Sequence, residues 1–377
     1  MEKRVAEELA LFGQSIWLDN INRSLIESGR LKEMIGQGLR GMTSNPTIFD
    51  KAISNSNNYD ERIRELCHPK QSIFEIYDDL TVRDIQDAAD IFRPVYDRTQ
   101  GLDGYVSLEI DPQLAQKTEE TIWEGKRLHQ KVNRPNVMLK VPSTDAGFEA
   151  IEELLASGIN INITLIFSLD QYIKTALAYL KGLKRRSEKG GDLSKIHSVA
   201  SVFVSRIDTT VDGMIEDLII RTSDPSVKNR LQSLKGKAAV ANSSLIFQKY
   251  LEIFAGEEFL RLKVKGANIQ RVLWGSTSTK NPAYSDIKYV SELIGKNTVN
   301  TLPDNTWEAF QDHGTVEEAL TADIREPQTV IDDLKDFGID INEVCQRLLD
   351  DGVAAFEKSF LSLLNSIEKK VEGLCIT

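Results

Sequence analysis

One lysine interrupts an apolar run in the stretch NVMLKVPSTDAGFEA, residues 136–150: Val137, Met138 and Leu139 precede Lys140, and Val141 and Pro142 follow it. Lysine is rarely buried without a partner. The position is therefore open to two readings. It is either half of an ion pair or an edge residue whose head reaches water, or it is an amine nucleophile that forms a Schiff base with a carbonyl. A reference pKa of about 10.4 leaves only about one lysine in a few thousand neutral at pH 7. Apolar neighbours disfavour the ammonium form, so the run around Lys140 is the environment such a nucleophile needs.

Other polar residues recur where β-rich runs end. Asp19 closes WLD, and Asn45 lies in TSNP. Glu109 sits in YVSLEID, Asn162 and Thr164 in NINITLIF, and Ser201, Phe203 and Arg206 in SVFVSR. Ser278 and Lys280 lie in GSTSTK. Each has a plain structural reading. Asp19 could cap the following helix, Glu109 could neutralise Lys140, Asn45 and Asn162 could serve a turn or a ladder, and Arg206 and Lys280 could be rim charges. Each also has a chemical one. Asp19 would be a general base at a substrate hydroxyl. Glu109 with Thr164 would hold a water that moves protons during carbinolamine dehydration. The asparagines would bind hydroxyls, and Arg206 with Lys280 would clamp a phosphate. So many polar groups at strand ends are hard to assign to a solvated rim alone.

These positions need elements to hold them. Eight apolar, β-rich runs occur at 15–21, 39–49, 104–112, 136–144, 158–168, 196–208, 270–282 and 297–310. Helical patterns separate most of them. RSLIESGRLKEMIGQG reads as one helix, and in 170–190 Tyr172, Ala176, Leu177 and Leu180 recur at helical spacing. Alternation of strand and helix predicts βαβ units and a parallel sheet. Eight units fit an α/β fold of the (β/α)8 TIM-barrel type, in which functional residues sit at the C-terminal ends of strands. A doubly wound open sheet is the alternative, but WLDNINRSL is not the glycine-rich loop it usually carries after its first strand. Extra helices are predicted within 50–100, after strand two. A helical extension over about 340–377 carries an apolar stripe: Val344, Leu348, Leu349, Val353, Phe356, Phe360, Leu363, Leu364, Ile367, Val371 and Leu374. The stripe predicts docking on the barrel; a lid or a dimer surface is the other reading. With no repeat or linker in view, residues 1–377 read as a single domain.

Composition limits the partners. A net charge of −11 speaks against nucleic acid, whose phosphates need clustered Lys and Arg. No apolar run reaches the roughly 18 residues of a membrane span, and the N-terminus lacks the apolar core of a signal peptide. Cys67, Cys345 and Cys375 are odd in number and far apart. They read as reduced thiols of a cytoplasmic protein, and no His/Cys/Asp cluster has metal spacing. The acidic surface fits a monomer or a homodimer equally.

Taken in order, WLDNI, TSNPTIF, SLEIDP, VMLKVPST, NITLIFS, SVFVSRID and GSTSTKNPAYSD resemble transaldolase, and the length together with STSTKNPAYSD resembles its larger bacterial subclass. The resemblance runs from about residue 15 to about 310 and continues toward the C-terminus. It implies a (β/α)8 barrel with no metal and no cofactor. It also implies transfer of a dihydroxyacetone unit between sugar phosphates in the non-oxidative pentose phosphate pathway. By motif, Lys140 would form the Schiff base, Asp19 would trigger carbon–carbon cleavage, and Glu109 and Thr164 would position the water. Asn45, Asn162 and Ser201 would bind the dihydroxyacetone part, Phe203 would wall the site, and Arg206, Ser278 and Lys280 would hold phosphate. The sequence departs from the family at Lys280, where many members carry arginine; lysine binds phosphate as a point charge without the bidentate fork. A simple aldolase on the same barrel, releasing free dihydroxyacetone, would use the same lysine. A sugar-phosphate-binding protein without catalysis would not need Lys140, Glu109 and Asp19 together.

Overall fold

The computed structural model describes residues 5–68 and 70–375. All eight β-rich runs form strands: β1 (Gln14–Leu18), β2 (Leu39–Thr43), β3 (Tyr105–Glu109), β4 (Val137–Pro142), β5 (Ile161–Ile166), β6 (Ser198–Phe203), β7 (Arg271–Gly275) and β8 (Thr298–Leu302). They pair in sequence order, all parallel, and β8 pairs with β1 to close the barrel. Helices connect successive strands, as the (β/α)8 expectation requires.

Period-two alternation divides each strand between two environments. Ile16, Leu18, Met42, Val106, Leu108, Leu139 and Val141 join the large core between strands and helices. Trp17, Tyr105, Met138, Val199, Leu273 and Val299 form a separate apolar cluster that fills the barrel interior. Gly41 makes room for it: a Cβ there would lie 2.6 Å from the Trp17 indole. Below this plug, at the N-terminal ends of the strands, Arg271 pairs with Asp103 at 2.7 Å, and both are buried. Above it lies the polar layer described next.

Several local expectations are corrected. The stretch after β1 is two helices, Arg23–Glu27 and Arg30–Gly36, because Gly29 takes φ +85° between them. In the helix Leu169–Glu188, Leu177 is 39% exposed; the packed face runs through Tyr172, Ala176, Tyr179, Leu180 and Leu183. The connection from β6 to β7 holds four helices, an enlargement the helical patterning did not single out. The extra helices after β2 are Pro46–Ser54, Asp60–Leu66 and Ile73–Arg98.

The C-terminal extension is one helix of 35 residues, Ile341–Cys375. Its predicted stripe is the packed face. Val344, Leu348, Leu349, Phe356, Phe360, Leu363 and Ile367 are buried, and Val353, Leu364, Val371 and Leu374 pack partly buried against the core. The helix lies across the Pro46–Ser54 helix, where Ser362 and Ser366 donate to Asp50 and Thr47 donates to Ser359. Its far end is bonded covalently. Cys67 and Cys375 form a disulfide with Cα atoms 6.1 Å apart, which corrects the reading of three reduced thiols. A sequence separation of 308 residues hid the pair. Cys345 is free and buried, and burial pushes its thiol up to about 12.

Candidate active site

The polar residues at the strand ends converge on one cavity of about 420 Å³ at the C-terminal mouth of the barrel. Nine of the eleven residues singled out from the sequence line it: Asp19, Asn45, Lys140, Thr164, Ser201, Phe203, Arg206, Ser278 and Lys280. Glu109 and Asn162 do not line it. They stand on the strands flanking Lys140, whose register partners they are.

Lys140 projects from β4 and is 5% exposed. Its Nζ donates to the Ser44 carbonyl oxygen at 3.0 Å, lies 3.6 Å from Glu109 Oε2, and sits 5.7 Å from the centre of the Phe356 ring. The ion pair is thus real but longer than a hydrogen bond. Burial pushes the Glu109 carboxyl up to about 7, against the opposing pull of Lys140. Near neutrality Glu109 therefore exists in both protonation states. Glu109 Oε2 and Thr164 Oγ1 are both buried without a hydrogen-bond partner. Such groups are costly unless something polar meets them, and a shared water or a substrate hydroxyl fits that requirement.

Asp19 does not cap a helix; Asn22 caps the one that follows β1. Thr43 Oγ1 donates to Asp19 at 2.8 Å. With its single proton committed there, Thr43 accepts from Thr301, whose Oγ1 is 2.9 Å away. Burial raises the Asp19 pKa, while Lys140 lowers it. Ser201 Oγ donates to Asn162 Oδ1 at 2.6 Å, and Asn162 Nδ2 donates to Ser107 at 3.1 Å. Asn162 thereby anchors Ser201 from below. Asn45 takes both roles its type allows: its Oδ1 caps the Pro46–Ser54 helix by accepting from Ile48 N–H at 3.0 Å, and the residue still faces the cavity.

The cavity also gathers positive charge. Arg206, in the first turn after β6, lies 5.3 Å from the centre of the Phe203 ring, and burial lowers its pKa. Lys280 Nζ donates to Ser278 Oγ at 2.7 Å. Neither Arg206 nor Lys280 has a carboxylate partner among the described residues. Two cations lining one cavity without carboxylate partners are suited to an anionic group of the substrate.

Two backbone distortions frame the site. Leu165 takes φ +60°, where β5 carries one extra residue between Ile163↔Ala200 and Ile166↔Val202. Ser276, just past β7, takes φ +54°. Left-handed backbone costs a non-glycine residue roughly 1–2 kcal/mol, and such strain collects at functional sites. The bulge sits directly after Thr164.

Thr43, Thr301, Ser276, Lys51, Asn305 and Phe356 also line the cavity and escaped the sequence reading. Thr301 was within reach, since it lies next to the C-terminal end of β8 as Asp19 follows β1. Phe356 carried no such signal, because it arrives from the C-terminal helix. A larger hollow of about 560 Å³ lies between that helix and the N-termini of the helices after β4 and β5. It contains none of the candidate residues, and its four carboxylates, Asp145, Asp170, Asp350 and Glu357, outnumber its one cation, Lys174, which is paired with Asp145 at 3.0 Å, so it suits an anionic substrate poorly. Among the described residues no group of three or more His, Cys, Asp or Glu could hold a metal ion, and no helix is long and apolar enough to cross a membrane.

Comparison with known proteins agrees with this geometry. The family model described as transaldolase/fructose-6-phosphate aldolase matches residues 16–367. A protein named transaldolase from Trichodesmium erythraeum is 48% identical over 370 residues, covering 97% of both chains. One named transaldolase 2 from a Nostoc species is 46% identical over 371 residues, again covering 97% of each. A transaldolase 2 from Streptomyces coelicolor is 44% identical over 374 residues, covering 99% of this chain and 97% of its own. The chain belongs to the transaldolase/fructose-6-phosphate aldolase family.

Proposed function

We propose that this protein is a transaldolase. It moves a dihydroxyacetone unit from a ketose phosphate such as sedoheptulose 7-phosphate to an aldose phosphate such as glyceraldehyde 3-phosphate. It would thereby serve the non-oxidative pentose phosphate pathway. The observation that carries the reading is the buried Lys140 amine in the cavity wall, flanked by Glu109 at 3.6 Å and facing a cavity that Asp19 also lines. The transaldolase names of relatives covering nearly the whole chain favour transfer over simple aldol cleavage.

The steps follow from the groups present. The neutral Lys140 amine attacks the ketose carbonyl carbon. Glu109 in its protonated form, through a water shared with Thr164, gives a proton to the carbinolamine hydroxyl, which leaves as water. The resulting iminium is an electron sink. Asp19 takes the proton of the hydroxyl beyond the scissile bond. That carbon–carbon bond breaks, its electron pair moves toward the iminium nitrogen, and an aldose phosphate departs. The enamine carbon then attacks the aldehyde carbon of the acceptor, and the nascent alkoxide takes back the proton from Asp19. Water adds to the new iminium, and the product ketose leaves as the free amine is restored. Asn45 and Ser201 hold hydroxyls of the three-carbon unit, with Asn162 steadying Ser201. Arg206 and Lys280 with Ser278 hold the phosphate, Lys280 as a point charge.

Borohydride reduction in the presence of fructose 6-phosphate, followed by peptide mass mapping, tests the assignment. A stable adduct on Lys140, and loss of transfer in Lys140→Met, are expected. A Lys140→Met enzyme that still transfers at the wild-type rate overturns it.

A further inference from the structure

The enamine must survive until the acceptor arrives, which raises the question of what keeps water from it. The cavity lies at the open end of the barrel, and strand ends, the loops and helix starts that follow them and the Pro46–Ser54 helix supply its floor and walls. Phe356 comes from elsewhere. It is 8% exposed, lines the cavity, and its ring centre is 5.7 Å from Lys140 Nζ.

The ring is held there from both sides. One turn before it, Gly352 packs on Leu165 so closely that a Cβ would come within 3.1 Å of Leu165 Cδ2. Leu165 is the bulge residue beside Thr164. One turn after it, Phe360 meets Tyr77 edge-on at 5.1 Å, and Ser359 is bonded to Thr47 of the Pro46–Ser54 helix. The C-terminal helix is also bound to Asp50 through Ser362 and Ser366 and to Asp60 through Lys370. Phe356 is thus an apolar cover set in a fixed frame over the nitrogen that would carry the iminium.

We propose that Phe356 decides whether the bound three-carbon unit is transferred or lost to water. This rests on the Schiff-base reading above and goes beyond it by assigning the partition to one residue. Two fates compete for the enamine. In transfer, its carbon forms a bond to the acceptor aldehyde carbon. In loss, that carbon takes a proton instead. Water oxygen then adds to the iminium carbon, its proton passes to nitrogen, the carbon–nitrogen bond breaks, and dihydroxyacetone leaves with the lysine amine restored. A ring over the nitrogen removes one direction of approach for water. It also presents a π-face to the charge of the iminium.

The test compares wild type with Phe356→Ala and Phe356→Leu, using fructose 6-phosphate as donor with and without erythrose 4-phosphate. Free dihydroxyacetone and sedoheptulose 7-phosphate are measured together. The ratio of release to transfer should rise about tenfold or more in Phe356→Ala and less in Phe356→Leu, which keeps most of the apolar volume. Borohydride should label Lys140 in all three proteins. If Phe356→Ala fails to fold, Phe356→Leu decides by the same ratio. A ratio within about twofold of wild type in folded variants that still label at Lys140 overturns the proposal and leaves the Schiff base intact. Failure to label Lys140 in wild type overturns both.

Discussion

Replacing Gly41 with alanine tests whether the apolar plug beneath the site sets the site's geometry. Two effects oppose each other. Alanine restricts the unfolded chain, and at a permissive backbone position that alone stabilises by about 0.4–1 kcal/mol. In the folded barrel, however, the new Cβ would lie 2.6–2.7 Å from three atoms of the Trp17 indole. Ordinary van der Waals contact begins near 3.4 Å, so the ring must retreat by roughly 0.8 Å. Trp17 is fully buried, and its rigid ring packs among Tyr105, Met138, Val199, Leu273 and Val299 with nowhere to go. Overpacking of this kind costs about 1–3 kcal/mol, so the clash wins. Unfolding entropy of about 2.1 cal/mol/K per residue makes that a fall in Tm of only about 1–4 °C for a chain of 377 residues. Activity should fall more steeply. Trp17 stands two residues before Asp19, and displacement of a reacting group by 1 Å can cost about a hundredfold. Calorimetry and steady-state transfer assays measure both, and the double variant Gly41→Ala/Trp17→Leu should recover part of each loss. A Gly41→Ala protein more stable than wild type, or a double variant whose losses simply add, refutes the reasoning.

Glu109→Gln should lower transfer by about 10²–10⁴-fold, the usual worth of a general acid–base group, and abolish the pH limb near 7 set by the raised carboxyl. The stability sign follows from the same shift. A carboxyl raised in the fold adds stability below its ordinary value that is lost as pH rises through about 7, so Glu109→Gln should flatten the fall in denaturant midpoint between pH 5 and pH 8. An unchanged profile would remove Glu109 from the mechanism. The Cys67–Cys375 bond closes a segment of 308 residues, which in the chain-entropy model is worth about 5–6 kcal/mol at most. Cys67→Ser should therefore lower Tm by several degrees without reductant and leave it unchanged with reductant; equal Tm values in both conditions would show that the bond stabilises nothing.

Much of the barrel was written locally. A strand in a closed barrel shows one face to its helices and the other to the interior, so apolar runs with polar residues at their C-terminal ends mark both the strands and the side of the barrel where chemistry belongs. Lys140, Asp19, Thr164 and Ser201 were legible for that reason, each from its own few neighbours. Leu177 misled because helical spacing states which residues share a stripe, not where a neighbour stops covering it; at 39% exposed it lies at the stripe's edge. The two short helices after β1 looked like one because Gly29 reveals its break only once its φ is positive.

The remaining features depend on closure. Nothing near Lys140 in the chain states that Glu109 stops 3.6 Å away, close enough for attraction but too far for a good hydrogen bond. Nor does anything near residue 356 announce a partner more than two hundred residues earlier. Phe356 looked like one more member of a docking stripe, and it is one. The apolar period of the C-terminal helix determined that it would pack, whereas only the seating of that helix across Asp50 and Leu165 decided which of its rings would face the lysine. Cys67 and Cys375 show the same limit, since a bond across 308 residues leaves no local trace. The sequence by itself determined the strands, their order and the polar ends that meet at the barrel mouth, because those follow from short-range periodicity. The tertiary structure alone decided the distances, which ring of the C-terminal helix roofs the amine and the covalent tie, because these depend on where segments remote in the chain come to rest.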